Sequence, residues 1–120
     1  MKHSVVINYS LYVELVCQLV ILMTSGNILE NAVFQMGPDK RPIVKKESHT
    51  IIRIAIGKGG KIPPHMANHS AFFLVLKGKA IITSGDKEVE LAENEYIAMD
   101  ADQMRGIQAL EDSILLGVRD

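Results

Sequence analysis

The stretch from Gly57 to Gly78, GKGGKIPPHMANHSAFFLVLKG, decides how this chain folds. It joins a glycine-rich turn to a Pro-Pro pair, to His65 and His69, and to an apolar run that ends on a glycine. In a chain rich in β-strand signals, this order predicts a loop, Gly57–Pro64, that delivers a strand. The first residues of that strand are expected to face a cavity, and its later residues to pack the core.

The composition limits the class of protein. A length of 120 residues allows one core, and 48% hydrophobic with 22% charged residues is typical of a folded domain. The formal net charge of −1 gives no field that would attract nucleic acid or an anionic membrane. The single cysteine, Cys17, cannot form an internal disulfide, so a reducing cytoplasm is the expected compartment.

Residues 1–23 form an apolar segment in which Glu14 is the only charge after Ser4. Its length approaches that of a membrane span or a removed leader, but Glu14 and Gln18 lie within the apolar stretch. Periodicity leaves a buried helix and a strand both open, and we favour the helix. Alternatively, Met23 is the natural start and the preceding residues are an upstream extension. If the segment is native, its apolar face needs a cover, which favours a homodimer.

Residues 24–120 carry an all-β pattern. Thr50 to Ile56 shows the clearest alternation, because Ile52, Ile54 and Ile56 share one face. Further strands are predicted at Ala32–Met36, Ile43–Glu47, Ala71–Leu76, Ala80–Thr83, Lys87–Leu91, Glu95–Met99, Met104–Ala109 and Ser113–Val118. Short strands at spacings of roughly 8 to 12 residues, without a helical pattern between them, predict a sandwich or small barrel.

The order of these parts resembles the cupin family, whose jelly-roll barrels carry the motifs G-x5-H-x-H-x3,4-E-x6-G and G-x5-P-x-G-x2-H-x3-N. The first motif is matched at Gly59, His65 and Gly78, and the resemblance extends from Thr50 to the end of the chain. It implies a cupin-like β-barrel over residues 24–120. In the family, the histidines and glutamate of the first motif and the histidine of the second hold a metal.

The metal-ligand positions depart from the family pattern. The second histidine falls on Ala67, the glutamate falls on Ala71 or Phe72, and the histidine of the second motif falls on Arg105. The remaining positions of the second motif become Asn94, Asp100 and Asp102. Because a guanidinium has no lone pair to donate, we expect no cupin metal site and no other cofactor. The alternative is a divalent metal (Fe, Mn, Zn or Ni) held by His65 and His69.

Arg105 is the most informative candidate residue. The family register turns it inward, where an uncompensated charge costs several kcal/mol. Three interpretations stay open: an ion pair with a nearby carboxylate (Glu95, Asp100 or Asp102), a position at the rim that reaches solvent, or a role in binding an anionic ligand group. The predicted ligand-binding residues are His65, Arg105, His69 and Phe73. No catalytic residue is identified, since the chain carries no nucleophile elbow, P-loop or HExxH motif.

These observations favour a small-molecule binding or regulatory module, with an anion as the ligand class that Arg105 suggests. One alternative is a metal-dependent cupin oxygenase or isomerase that uses His65 and His69. Another is a structural homodimer without a ligand. An enzyme is the less favoured interpretation, and the expected partners are a small molecule and a second copy of the chain.

Overall fold

The computed structural model describes residues 23–120, in which every regular element is a β-strand. The strands are β1 (Asp39–Lys45), β2 (Thr50–Ile56), β3 (Lys61–Met66), β4 (Ala71–Lys77), β5 (Lys79–Ser84), β6 (Lys87–Ala92), β7 (Tyr96–Met99), β8 (Met104–Ala109) and β9 (Ser113–Arg119). The all-β prediction is therefore confirmed for this part of the chain. The predicted N-terminal helix lies in residues 1–22, outside the described residues.

The strands form two antiparallel sheets. One has five strands in the order β1-β2-β9-β4-β7, and the other has four in the order β3-β8-β5-β6. Alternation along each strand sends one face of each sheet into a shared core. Its fully buried members come from both sheets, for example Ile54, Val75 and Leu115 from the first and Ile82 and Ile107 from the second. Each such side chain contributes roughly 1.5–3 kcal/mol through removal from water.

Residues 23–30 and residues 31–120 belong to separate compact units. In the first, the Asn27 side chain accepts a hydrogen bond from the Leu29 N–H at 2.9 Å, and the Asn27 carbonyl accepts one from Glu30 at 3.1 Å. This Asx-type turn is the local structure expected of asparagine. Within residues 23–120 there is no helix with the length and hydropathy of a membrane span.

The strand predicted at Ala32–Met36 is wrong, because this segment is irregular. It runs beside the glycine-rich turn and makes only isolated backbone hydrogen bonds there: Gly57 N–H to Gln35 O at 2.7 Å and Lys61 N–H to Met36 O at 3.3 Å. Two isolated hydrogen bonds do not form the regular backbone pairing of a β-sheet. The close approach requires glycine, since a Cβ on Gly57 would lie 2.9 Å from the Gln35 nitrogen.

The loop predicted to reach Pro64 is also too long, because β3 begins at Lys61 and contains both prolines. The pairing of β3 with β8 shifts register between Ile62 and His65, and β3 is an edge strand. Proline has no N–H, so a register shift in an edge strand is where a sheet accommodates it. Gly106 on β8 permits the contact, as its Cβ would lie 2.9 Å from the Pro64 nitrogen.

Two positions where the family motif has glycine keep the backbone conformation of glycine. Asn94 and Asp102 have φ of 71° and 64°, in the left-handed region that asparagine and aspartate tolerate better than other side chains. The Asp102 N–H donates to the Ala67 carbonyl at 2.9 Å, which joins the two loops beside β4 and β8. The turn geometry of the motif is thus retained although its glycines are not.

Candidate functional site

A cavity of about 110 Å³ lies between the two sheets of residues 31–120. Its walls come from β1, β2, β4 and β9 on one side and from β3, β8 and the loop before β4 on the other. The lining residues are Lys40, Thr50, Ile52, Ile54, Ile62, His65, His69, Ala71, Phe73, Arg105, Gly106, Ile107, Gly117, Val118 and Arg119.

The structure brings all four residues predicted from the sequence to this one cavity. His65 on β3 and Arg105 on β8 are direct cross-strand partners, so their side chains leave the sheet on the same face. Phe73 on β4 lies opposite Gly117 on β9, in the facing sheet. His69 stands in the loop between β3 and β4. Their binding of a ligand stays a prediction.

Arg105 is a buried cation that has no carboxylate partner among residues 23–120. It is 3% exposed, and its donors reach three uncharged acceptors, each at 3.3 Å: the carbonyls of Gln103 and Asp100 and the Nδ1 atom of His69. The ion pairs found within residues 23–120 are Arg53–Asp39 and Lys79–Glu90, so the ion-pair interpretation of Arg105 is not supported. The rim interpretation is not supported either, because the side chain does not reach solvent.

The hydrogen bonds of the histidines indicate which ring atoms carry hydrogen. His69 Nδ1 lies 3.3 Å from Arg105 Nη1, and because arginine can only donate, that Nδ1 must accept. The same atom lies 3.2 Å from the Ser70 carbonyl, to which it could donate only in another protonation form. His65 Nδ1 lies 3.2 Å from the Pro63 carbonyl, so it donates there and leaves Nε2 as an acceptor in the neutral ring. Two imidazoles therefore flank one guanidinium.

Exposed charges stand near the same end of the domain. Lys40 and Arg119 line the cavity but are exposed. Next to His69, Asp120 accepts a hydrogen bond from the Ser70 N–H at 2.9 Å. Hydrogen bonding by the Ser70 side chain and then by its backbone lowers the pKa of Asp120.

Sequence reasoning missed the residues that give the cavity its shape. Gly117 faces inward, where an added Cβ would lie 3.3 Å from Phe73 and 3.4 Å from Ile52 and Ile54. A glycine inside a strand is a signal of close approach by a ligand or backbone, and this signal was available in the sequence. Lys40 and Arg119 carried no comparable signal, since exposed charges at strand ends are common.

Within residues 23–120, no group of three His, Cys, Asp or Glu side chains is placed to hold a metal ion. The polar inventory of the cavity is instead one buried guanidinium, two imidazoles and the Thr50 hydroxyl, with Lys40 and Arg119 as exposed charges. Such a set can donate strongly to an anion and accept one hydrogen bond at His65.

Comparisons with known proteins agree with this architecture. The family model described as "Cupin domain" matches residues 52–115. A conserved protein of unknown function from Streptococcus pyogenes superposes with a TM-score of 0.73 at 23% identity, covering 83% of this chain and 89% of that one. An RmlC-like cupin from Desulfovibrio desulfuricans gives a TM-score of 0.73 at 21% identity over 81% and 95% of the two chains.

KdgF from Halomonas sp. gives a TM-score of 0.66 at 18% identity, covering 69% of this chain and 77% of that one. A search of curated protein sequences gave no significant match. At these identities the structural neighbours establish only the fold, so the ligand has to be inferred from the residues of the cavity. With a family model that spans more than half of its 120 residues, the chain belongs to the cupin domain family.

Proposed function

We propose that this cupin domain is a binding or regulatory module whose cavity takes a small anionic molecule. In this proposal Arg105 binds the negative group, His65 and His69 stand beside it, and Phe73 forms part of the apolar wall. The chain acts without catalysis, and no metal or other cofactor takes part.

The observation that carries the proposal is the burial of the Arg105 guanidinium among uncharged acceptors. The guanidinium is 3% exposed and bonded to three uncharged acceptors, so it has lost its hydration without gaining a counter-charge from residues 23–120. Such a group is costly in the empty protein, and an anion in the cavity would remove that cost. A carboxylate or phosphate can also accept two parallel hydrogen bonds from one guanidinium, which adds geometric specificity as well as energy.

The donor set does not suit the metal of the family. A divalent site needs about three protein ligands, and the two imidazoles here are accompanied by an alanine, Ala71, and a permanent cation. Arg105 Nη1 lies 3.3 Å from His69 Nδ1, so a cation placed between the histidines would meet a positive neighbour. Stoichiometric Fe, Mn, Zn or Ni in protein purified without an affinity tag would instead support the oxygenase or isomerase alternative.

A thermal-shift screen tests the anion site. Inorganic phosphate, sulfate and small carboxylates would be added to the wild-type protein, to Arg105→Met and to Arg41→Met. The second variant removes the same charge at an exposed residue outside the cavity. A ligand at about 100 times its Kd adds about 2.7 kcal/mol, which for a domain of this size exceeds about 10 °C in Tm. We expect that shift in wild-type and Arg41→Met protein and its loss in Arg105→Met. Retention of the shift in Arg105→Met would contradict the proposal.

We also propose that the protein is a homodimer and that it acts in the cytoplasm. Large apolar side chains stand exposed on the described residues: Met23, Leu29, Val33, Met36, Ile43, Met66 and Tyr96. Exposed apolar surface of this kind favours association of like copies. Light scattering after gel filtration measures the mass in solution, and a monomer at micromolar concentration would contradict the dimer.

A further inference from the structure

We propose that the ligand of this cavity is a short monocarboxylate with an apolar tail, its carboxylate bound by Arg105 and its tail packed toward Ile107. This inference rests on the proposed function, because it assumes that Arg105 receives the anionic group. It goes further by assigning the charge, the polarity and the size of the molecule.

The charge follows from the groups that can compensate it. Arg105 is the buried cation among the cavity residues, and Lys40 and Arg119 are exposed, so water and salt screen their charges. His69 Nδ1 lies 3.3 Å from Arg105 Nη1 and accepts there, so it offers no hydrogen to a ligand at that atom. One buried positive charge is balanced by one negative charge. A second charge on the ligand would have no buried partner and would have to stay in water at the rim.

The orientation follows from where the polar groups stand. Arg105 donates to the Asp100 carbonyl and contacts His69, so the guanidinium lies at the end of the domain formed by the loops before β4 and β8. Ile107 lies two residues further along β8 on the same face, about 7 Å deeper. Around it the walls are formed by apolar side chains: Ile52, Ile54, Ile62 and Phe73. A carboxylate at Arg105 thus places the rest of the molecule against hydrocarbon.

The size follows from the volume of the cavity. An apolar cavity of about 150 Å³ accommodates benzene, which has six heavy atoms. In proportion, 110 Å³ accommodates about four apolar heavy atoms, while the carboxylate occupies the open end near the histidines. Gly117 is consistent with this limit, because a single added Cβ there would contact Phe73, Ile52 and Ile54 at 3.3–3.4 Å. The expected tail is therefore that of butanoate to hexanoate or a branched equivalent.

Titration calorimetry with the straight-chain series from acetate to octanoate tests this assignment. Each acid is paired with its uncharged primary amide, and succinate and inorganic phosphate are included. Kd should fall about fourfold for each methylene up to pentanoate and then stop falling, because each methylene leaves water for an apolar wall until the cavity is full. The amides should bind at least about tenfold more weakly, since they lack the charge that Arg105 recognises.

Two variants that each lose one buried methylene separate the effect of cavity size from a general loss of packing. Ile107→Val removes a methylene from the cavity wall and should move the preferred chain length about one carbon longer. Ile114→Val makes the same change at a buried residue of β9 that does not line the cavity, and its preference should equal that of the wild type. Equal shifts in both variants would show that the chain-length preference does not come from this wall and would overturn the inference.

The outcomes distinguish this inference from the proposed function. Binding of phosphate or succinate in preference to every monocarboxylate, lost in Arg105→Met, would overturn the apolar-tail assignment and leave the anion site standing. A Kd that does not change with chain length would also overturn the apolar-tail assignment and leave the anion site standing. If no anion binds to the wild-type protein, both fall. A chain-length optimum that Ile107→Val moves and Arg105→Met abolishes supports both.

Discussion

Replacing Arg105 with methionine is expected to stabilise the ligand-free domain. Most substitutions of a buried residue destabilise a protein, so the direction of this change is a demanding prediction. It depends on the 3% exposure of the guanidinium and on its lack of a carboxylate partner in the described part of the chain, residues 23–120. Methionine is chosen because its flexible thioether fills irregular apolar space.

The magnitude comes from two opposing terms. Arg105→Met loses three hydrogen bonds from a charged donor, each long at 3.3 Å, and at the low end of about 1.5 kcal/mol for such a bond these contribute about 4–5 kcal/mol together. The carbonyls of Gln103 and Asp100 belong to exposed residues, so they can bond to water instead. Removing the buried charge recovers several kcal/mol of desolvation. We therefore expect a small net gain of about 0–1 kcal/mol, or a Tm up to about 8 °C higher.

Arg53→Met is the matched control. Arg53 is also buried, at 1% exposure, but Arg53 Nη2 donates to Asp39 Oδ2 at 3.1 Å. Its removal deprives a carboxylate that is 29% exposed of a charged partner. After allowance for the water that reaches Asp39, a loss of about 1–2 kcal/mol is expected. The two buried arginines should thus give changes in stability of opposite sign.

Urea unfolding of both variants, in a buffer whose anions are restricted to chloride, measures these differences, with an unchanged m-value as the check on two-state behaviour. A loss of stability in Arg105→Met as large as that in Arg53→Met would refute the reasoning. It would mean that the three neutral acceptors compensate the guanidinium fully, and that no anion is needed to do so.

Three further predictions concern the backbone and the pH dependence. Gly78→Ala should destabilise the domain by at least about 3 kcal/mol, because φ is +85° and the Cβ would lie 2.3 Å from a backbone oxygen, whereas Gly37→Ala, with open space around it, should cost little. Asn94→Gly should stabilise the domain by about 0–1 kcal/mol, because glycine adopts a φ of 71° without strain. Chemical unfolding measures this change, and a loss of stability would contradict the prediction. The pKa of Asp120 is lowered in the folded protein, so its ionised carboxylate stabilises the fold. This stabilisation is complete above about pH 4 and is lost as the pH falls further. The difference in Tm between wild type and Asp120→Asn should therefore shrink only in that acidic range.

Part of the fold could be predicted because its strands alternate clearly. Thr50–Ile56 and Met104–Ala109 have the bounds predicted for them, since isoleucines or inward residues at every second position leave one register that buries them. The error at Lys61–Pro64 came from treating two prolines as the end of a loop. An edge strand with a register shift accommodates prolines, and the sequence does not indicate which strand will be at an edge.

The candidate site could also be predicted from the sequence only in part. His65 and Arg105 could be predicted to share a face from the positions of the motif, and their direct pairing across β3 and β8 explains why. The relation of His69 to Arg105 could not, because it depends on how the loop before β4 bends. Gly117 was also missed, since a residue without a side chain matters only through the space that its neighbours leave.

The two prolines of β3 have a consequence for how copies of this protein can add to one another's sheets. Among the described strands, the edges are β1, β3, β6 and β7. A strand that lacks N–H groups or carries several charges is a poor template for a further strand. β3 contains two prolines, β1 contains one with four charged residues, and β6 contains three charged residues, whereas β7, Tyr96–Met99, contains neither proline nor charge. Sheet extension is therefore discouraged at three of these four described edges, and pairing of two copies through β7 would leave only the discouraged edges of the described strands for further growth.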